Sequence, residues 1–205
     1  MGGDAAERLA LLDYRRRVAA MYAAVRREDM AIEQRWTRFR AQREQLFRDH
    51  PLSPIPPANR ARLSLPFFDY DPRWRVSAAV VTTDPVAHTL PLRSDGELRL
   101  TQLGVARFEV AGQPLRLPLQ WLHGYGGGLL LSFRDATSGR DTYGGGRYLL
   151  DTIKGADLGG GEGGLTLDFN FAYHPSCAYD ARWHCPLPDR ASWLDVEVRA
   201  GERMM

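Results

Sequence analysis

Lysine is all but missing from this 205-residue chain: of its 27 basic residues, Lys154 is the only lysine. The skew toward arginine fits a GC-rich coding bias. With a net charge of only +2, it does not build the basic footprint of a nucleic-acid binder. No apolar run approaches the roughly 20 residues that cross a bilayer, and "MGGDAAERLALLDYRRR" is too charged for a secretory leader. Two cysteines are too few for a disulfide scaffold, and without a leader they point to the reducing cytoplasm. Proline is absent before Pro51, and all thirteen follow from there, with most of the glycines.

That asymmetry divides the chain. Residues 1–50 read as an N-terminal helical segment and residues 51–205 as an antiparallel β domain. Leu11, Tyr14, Val18, Met21, Tyr22 and Val25 recur with a helical period, and so do Ile32, Trp36, Phe39, Leu46 and Phe47. Asp29 is a candidate cap for the second helix. "HPLSPIPP" (His50–Pro57) stops it, because proline lacks the N–H and clashes with the preceding turn. From Trp74 onward the pattern is strands and tight turns: "RWRVSAAVVTT", "VAHTLPL", "LRLTQL" after the hairpin signal "SDGE", "VARFEV", "PLRLPLQWL", "GLLLSF", "DTYGGGRYLLDTI", "LTLDFNFAY" and "WLDVEVRAGE". Nine or ten short strands without intervening helices predict one antiparallel barrel-like or sandwich domain. At this length a core buries roughly 70% of the unfolded surface, so the fold needs no staple. "GADLGGGEGG" (Gly155–Gly164) reads as a loop.

Four features carry possible chemistry. "DTYGGGRY" places three glycines, Gly144, Gly145 and Gly146, between strands; this is either a backbone cradle for an anion or a bulge. Arg147 follows directly. Turned inward it needs an acid, for which Asp141, Asp151 and Asp168 are candidates, because an unpaired buried charge costs several kcal/mol. "LTLDFNFAYH" alternates, with Leu165, Leu167, Phe169, Phe171 and Tyr173 on one face and Thr166, Asp168, Asn170, Ala172 and His174 on the other; solvent is the expected surroundings of the polar face. Arg43 falls on the apolar stripe of the second helix, so it either snorkels outward or docks against an acid.

The densest stretch is "DFNFAYHPSCAYDARWHCPLPD". Cys177 and Cys185 are open to several readings: packed thiols, one disulfide, a nucleophile served by His174 or His184, or a zinc site with those two histidines. The zinc spacing is poor, since His184 and Cys185 are adjacent and structural sites favour two separated pairs.

"FRDATSGRDTYGGGRY", "LDFNFAYHPSCAY", "CPLP" and the closing "AGE", with "FRDHPLSPI" and "FFDYDPRWRV" upstream, resemble the bacterial and archaeal domain-of-unknown-function family 1684. The resemblance runs from about Trp36 to Glu202 and leaves residues 1–30 as an extension. It implies no activity. Where that family usually has Asn, this chain has His174, which weakens any metal site needing that ligand. Tyr143, Arg147, Asp168, Asn170, Tyr173, Cys177 and Cys185 match.

The expectation is a soluble cytoplasmic protein that binds a small anionic molecule in a polar pocket of a β-barrel-like domain. Tyr143, Gly144, Gly145, Gly146, Arg147, Asp168, Asn170 and Tyr173 would line it. Two alternatives stand beside it. One is a structural or interaction module with a buried polar network, assembling as a homo-oligomer through its N-terminal helices. The other is a metal- or thiol-dependent enzyme centred on Cys177 and Cys185. No cofactor is identified, and neither nucleic acid nor membrane is an expected partner.

Overall fold

The computed structural model describes residues 5–92 and 96–204, without the side chains of 91 and 92. Two helices lead, α1 (Ala5–Arg26) and α2 (Ile32–Asp49), followed by a single turn, α3 (Pro57–Arg60). Six strands follow: β1 (Arg75–Leu92), β2 (Gly96–Val110), β3 (Gln113–Leu122), β4 (Gly128–Phe133), β5 (Arg147–Asp151) and β6 (Gly164–Asp168). They form one antiparallel sheet in the order β5-β4-β3-β2-β1-β6. The sheet curls into a half-barrel. Just past β6, Tyr173 exchanges both backbone hydrogen bonds with Tyr148 of β5, at 2.8 and 3.1 Å, so a single rung ties the two edges together. No helix among the described residues is long and apolar enough to cross a membrane.

The barrel-like antiparallel fold with helices ahead of it is as expected, but six strands replace the nine or ten. "RWRVSAAVVTT" and "VAHTLPL" are one long strand. Its register against β2 shifts between Thr82 and Val86, around Pro85, where the ladder loses a donor. "LRLTQL" and "VARFEV" likewise merge into β2. The "SDGE" turn lies partly outside the described residues; the strands flanking it pair through Leu92 and Gly96. The "AGQ" turn closes β2 on β3 with Ala111 and Gly112 both at positive φ, 50° and 81°, the signature of a two-residue hairpin that follows the strand twist.

"LTLDFNFAYH" is a strand only as far as Asp168. There the Asp168 carboxylate accepts the Asn170 N–H at 3.0 Å and caps a 3₁₀ turn, Phe169–Phe171. The polar face does not meet solvent: Asp168, Asn170, Ala172 and His174 are all buried. "WLDVEVRAGE" forms no strand of the sheet and pairs only through isolated bridges, Trp193 with Arg134 and Glu202 with Phe67.

Both faces of the sheet are covered. Val18, Met21, Tyr22 and Val25 of α1, with Trp36, Phe39, Leu46 and Phe47 of α2, share one apolar cluster with Leu100, Leu122, Leu130, Tyr148 and Phe171. Leu131, Phe133, Leu149, Leu167 and Phe169 build a second cluster with Leu194, Val198 and Ala200 of the C-terminal segment. Alternation along β4 sends Leu130 to the helices and Leu131 to the other side. The helix junction is held from an unexpected quarter. Ala31, not Asp29, is the N-cap of α2, and it makes no side-chain cap. Instead the Arg35 guanidinium reaches back to the α1 end, donating to the carbonyls of Val25 (2.6 Å) and Arg27 (3.1 Å), which serves carbonyls a helix end leaves open.

Candidate functional site

The eight residues expected to line one pocket fall into three groups. Arg147 opens β5, and alternation turns it away from the helices, whereas Tyr148 faces them. Its guanidinium is fully enclosed. It donates to Asp135 Oδ1 (3.2 Å) and to the carbonyls of Val198 (2.9 Å) and Ala200. Its acid is therefore Asp135, not Asp141, Asp151 or Asp168. Asp135 also accepts from Thr137 Oγ1 (2.7 Å) and from the Val198 N–H (2.8 Å). Burial pulls the Arg147 pKa down, and Asp135 offsets part of that. No solvent-facing cleft reaches this guanidinium; it binds the C-terminal segment to the half-barrel as a neighbouring strand would.

Asp168 and Asn170 form the second group. Asp168 meets Arg75 at 3.3 Å and Asn170 Nδ2 at 2.8 Å, and burial raises its pKa despite those donors. Asn170 exchanges two 2.9 Å hydrogen bonds with the Asp71 backbone, and its own carbonyl accepts from Trp36 Nε1 at 3.1 Å. This knot fastens α2 and the strand approach to the barrel floor.

Tyr143 and the glycines form the third group. The Tyr143 N–H donates to His174 Nε2 at 3.2 Å. Gly144–Gly146 turn the chain into β5 through a 2.9 Å bond from the Gly146 N–H to the Tyr143 carbonyl. Gly146 sits at φ +90°, where a Cβ would lie 2.5 Å from the Phe133 carbonyl oxygen. At Gly146 the glycine is thus required by a close backbone approach.

Tyr173 alone of the eight borders a cavity of about 250 Å³ between α1, α2 and the segment after β6. Leu11, Tyr14, Arg15, Val18 and Tyr22 of α1 form one wall. The opposite wall is Tyr173 to Ser176 and Trp183 to Cys185, with Arg43, Phe47 and Lys154 completing it. Among the described residues no Asp or Glu borders it, whereas three cations do. Two of the three are matched: Arg43 by Glu202 (2.7 Å) and Lys154 by Asp151 (3.2 Å). Arg15 is exposed.

The floor is a rigid polar cluster. Glu202 receives Arg43 through both carboxylate oxygens, at 2.7 and 3.2 Å, and accepts the His174 N–H (2.6 Å) and Tyr179 Oη (2.9 Å). Burial opposes both charges, but each holds the other ionised: the Arg43 pKa is raised and the Glu202 pKa lowered. Of the two fates open to Arg43, docking against an acid is the one realised. Burial lowers His174 to about 4, with Arg147 and Arg43 adding to the effect and Glu202 opposing it. Since Nε2 accepts from Tyr143, the neutral ring carries its proton on Nδ1.

Two residues lining the cavity carry a hydrogen-bond donor that has no partner among the described residues. Tyr22 Oη and Trp183 Nε1 are both buried and unpaired. Burial raises the Tyr22 pKa, so the hydroxyl keeps its proton. Sequence reasoning placed Tyr22 among core residues and passed over Trp183. Nothing local distinguishes a satisfied tyrosine from an orphaned one. Among the described residues no three His, Cys, Asp or Glu side chains gather as a metal site, so His174, Cys177, His184 and Cys185 do not converge as ligands.

A family model described as "Protein of unknown function (DUF1684)" matches residues 63–203. The solution NMR structure of an uncharacterised protein from gene locus rrnAC0354 of Haloarcula marismortui is similar at 36% identity. It covers 84% of this chain and 94% of that one, with a TM-score of 0.61. No curated protein matches the chain.

Proposed function

Because this chain belongs to the DUF1684 family, whose members carry no assigned activity in their description, we propose its role from its own side chains: it binds a small molecule bearing a carboxylate or similar acceptor group in the cavity between α1, α2 and the Tyr173–Cys185 segment. The observation that carries this reading is that two residues lining the cavity, Tyr22 and Trp183, each carry a buried donor, Oη and Nε1, without a partner among the described residues. A buried donor without an acceptor costs roughly 1–3 kcal/mol, and a ligand oxygen that reaches either one would relieve that cost. The absence of any bordering carboxylate, with Arg15 and Lys154 at hand, favours an anion over a cation. Tyr14, Phe47, Leu11 and Leu52 suit an apolar or ring-shaped body. About 250 Å³ lies below the roughly 300–1,000 Å³ of drug-sized sites, so the ligand is a small monocyclic or short-chain acid.

In this reading Tyr173 is a wall residue, while Tyr143, Arg147, Asp168 and Asn170 hold the walls in place. Isothermal titration with benzoate, 4-hydroxybenzoate and short-chain carboxylates tests it. At least one should bind the wild-type chain, and Tyr22→Phe and Trp183→Phe should each weaken it about tenfold, the equivalent of roughly 1.4 kcal/mol. Without ligand, Tyr22→Phe should leave thermal stability equal or higher, since an unsatisfied donor has gone. Binding unaffected by both substitutions, or no binding across the panel, overturns the proposal.

A further inference from the structure

The cysteines stand beside this cavity but play no part in the binding just described. Cys177 and Cys185 are free thiols, both half-buried, and the Cys177 N–H points at Cys185 Sγ from 3.4 Å. The Tyr143 hydroxyl lies 3.9 Å from Cys177 Sγ, and Cys185 borders the cavity directly. The chain folds back so that residues eight apart meet: a short 3₁₀ turn, Ser176–Ala178, follows Pro175, and "CPLP" leads the other arm away as an extended connector.

The surroundings of the two sulfurs differ. Cys185 Sγ accepts the Cys177 N–H, and the neighbouring Cys177 thiol, the Ser176 N–H and the charge of Lys154 favour its thiolate. Those donors outweigh its burial and bring it down to about 6. Cys177 shares its own proton with Cys185, and that contact, with burial, pushes its pKa up. An inert core thiol has neither a ring of donors nor a cavity leading to it; a reactive one has both.

The geometry points to a thiol–disulfide exchange pair, with Cys185 as the attacking sulfur, Cys177 as the resolving sulfur and low-molecular-mass disulfides as the oxidants. The Cys185 thiolate attacks one sulfur of R–S–S–R, forming Cys185–S–S–R and releasing RS⁻. The Cys177 sulfur then attacks Cys185 Sγ, and its proton leaves with the second RS group as RSH. The protein dithiol is oxidised by two electrons to the Cys177–Cys185 disulfide, and the small disulfide is reduced to two thiols. This step stands apart from carboxylate binding, because it depends on the two sulfurs and not on Tyr22 or Trp183.

Reduced full-length protein, incubated natively with oxidised glutathione at pH 7, quenched in acid and mapped by peptide mass, tests the pair. The wild-type chain should lose two hydrogens, form the Cys177–Cys185 bridge and retain no glutathione. Cys177→Ser should stop at the mixed disulfide on Cys185, and Cys185→Ser, without the attacking sulfur, should form no bridge. A second readout needs no substitution. Limiting iodoacetamide on the wild-type chain should label Cys185 over Cys177 by more than about tenfold at pH 7, with the Cys185 rate levelling off above a half-point near pH 6. A wild-type chain that stays reduced, or that keeps glutathione without bridging, overturns the inference. So does equal labelling of the two cysteines, or a Cys185 half-point at the ordinary thiol value.

Discussion

Replacing Arg43 by Met removes one charge from a site where its counter-charge cannot reach water. Glu202 is fully buried, and the Arg43 side chain is 6% exposed. The methionine fills the aliphatic space but loses the 2.7 and 3.2 Å hydrogen bonds and the stacking of the guanidinium over Phe47 (4.3 Å) and Tyr173 (4.8 Å). Breaking a buried pair by removing one partner costs about 3–5 kcal/mol. The His174 N–H and Tyr179 Oη still serve the carboxylate, which places the expectation at the low end, about 3 kcal/mol at pH 7. With a urea m-value of about 2.5 kcal/mol/M for a chain of this size, the midpoint falls by about 1.2 M. The pH dependence supplies the sharper check. In the wild-type chain Glu202 is held below its ordinary 4.5. Its contribution is therefore complete above 4.5 and is lost as pH falls through the folded-state value. Without Arg43, burial is opposed only by the remaining donors to Glu202 and raises the carboxyl, so protonation relieves the penalty. The deficit of Arg43→Met should then shrink between pH 7 and pH 4. Urea unfolding of both proteins across that range, followed by tryptophan fluorescence, measures it. A deficit under about 1 kcal/mol, or one unchanged with pH, would refute the pairing argument.

His174 should impose a second acid dependence: its pKa is lowered from 6.5 to about 4, so its contribution is whole above pH 6.5 and is lost as pH falls toward 4, by up to about 3 kcal/mol. His174→Asn should flatten that part of the curve, and a His174 imidazole titrating near 6.5 by NMR in the folded protein would contradict it. Gly146→Ala should cost at least about 2 kcal/mol in calorimetry, from a positive φ and a blocked Cβ. Gly144→Ala, whose Cβ would meet only Gly139 at 3.6 Å, should stay within about 1 kcal/mol. Trp36→Phe leaves the Asn170 carbonyl without its 3.1 Å donor and should lower stability by about 1–3 kcal/mol; an unchanged melting temperature would remove this bond from the account.

Where sequence and structure part company, the reason is a side chain competing with the backbone. The alternation of "LTLDFNFAYH" promises a strand through Tyr173, yet Asp168 accepts the Asn170 N–H and bends the chain into a turn. "WLDVEVRAGE" alternates just as well, but the carbonyls of Val198 and Ala200 are taken by Arg147. A guanidinium stands where a partner strand would, and no ladder forms. The helices were legible because their stripes carry a 3.6-residue period unbroken by proline. Arg43 was legible as an anomaly on that stripe, though its partner lies 159 residues away.

The order of helices before an antiparallel half-barrel, the face each helix buries and the need of an inward Arg147 for an acid all follow from local period and the cost of burying charge. Which acid pairs with Arg147 and which donors go unanswered were decided only when distant segments met. Tyr22 and Trp183 reach one cavity from α1 and from the loop ahead of Cys185. Hydrogen-bond satisfaction depends on such three-dimensional neighbours, and no periodicity along the chain encodes it.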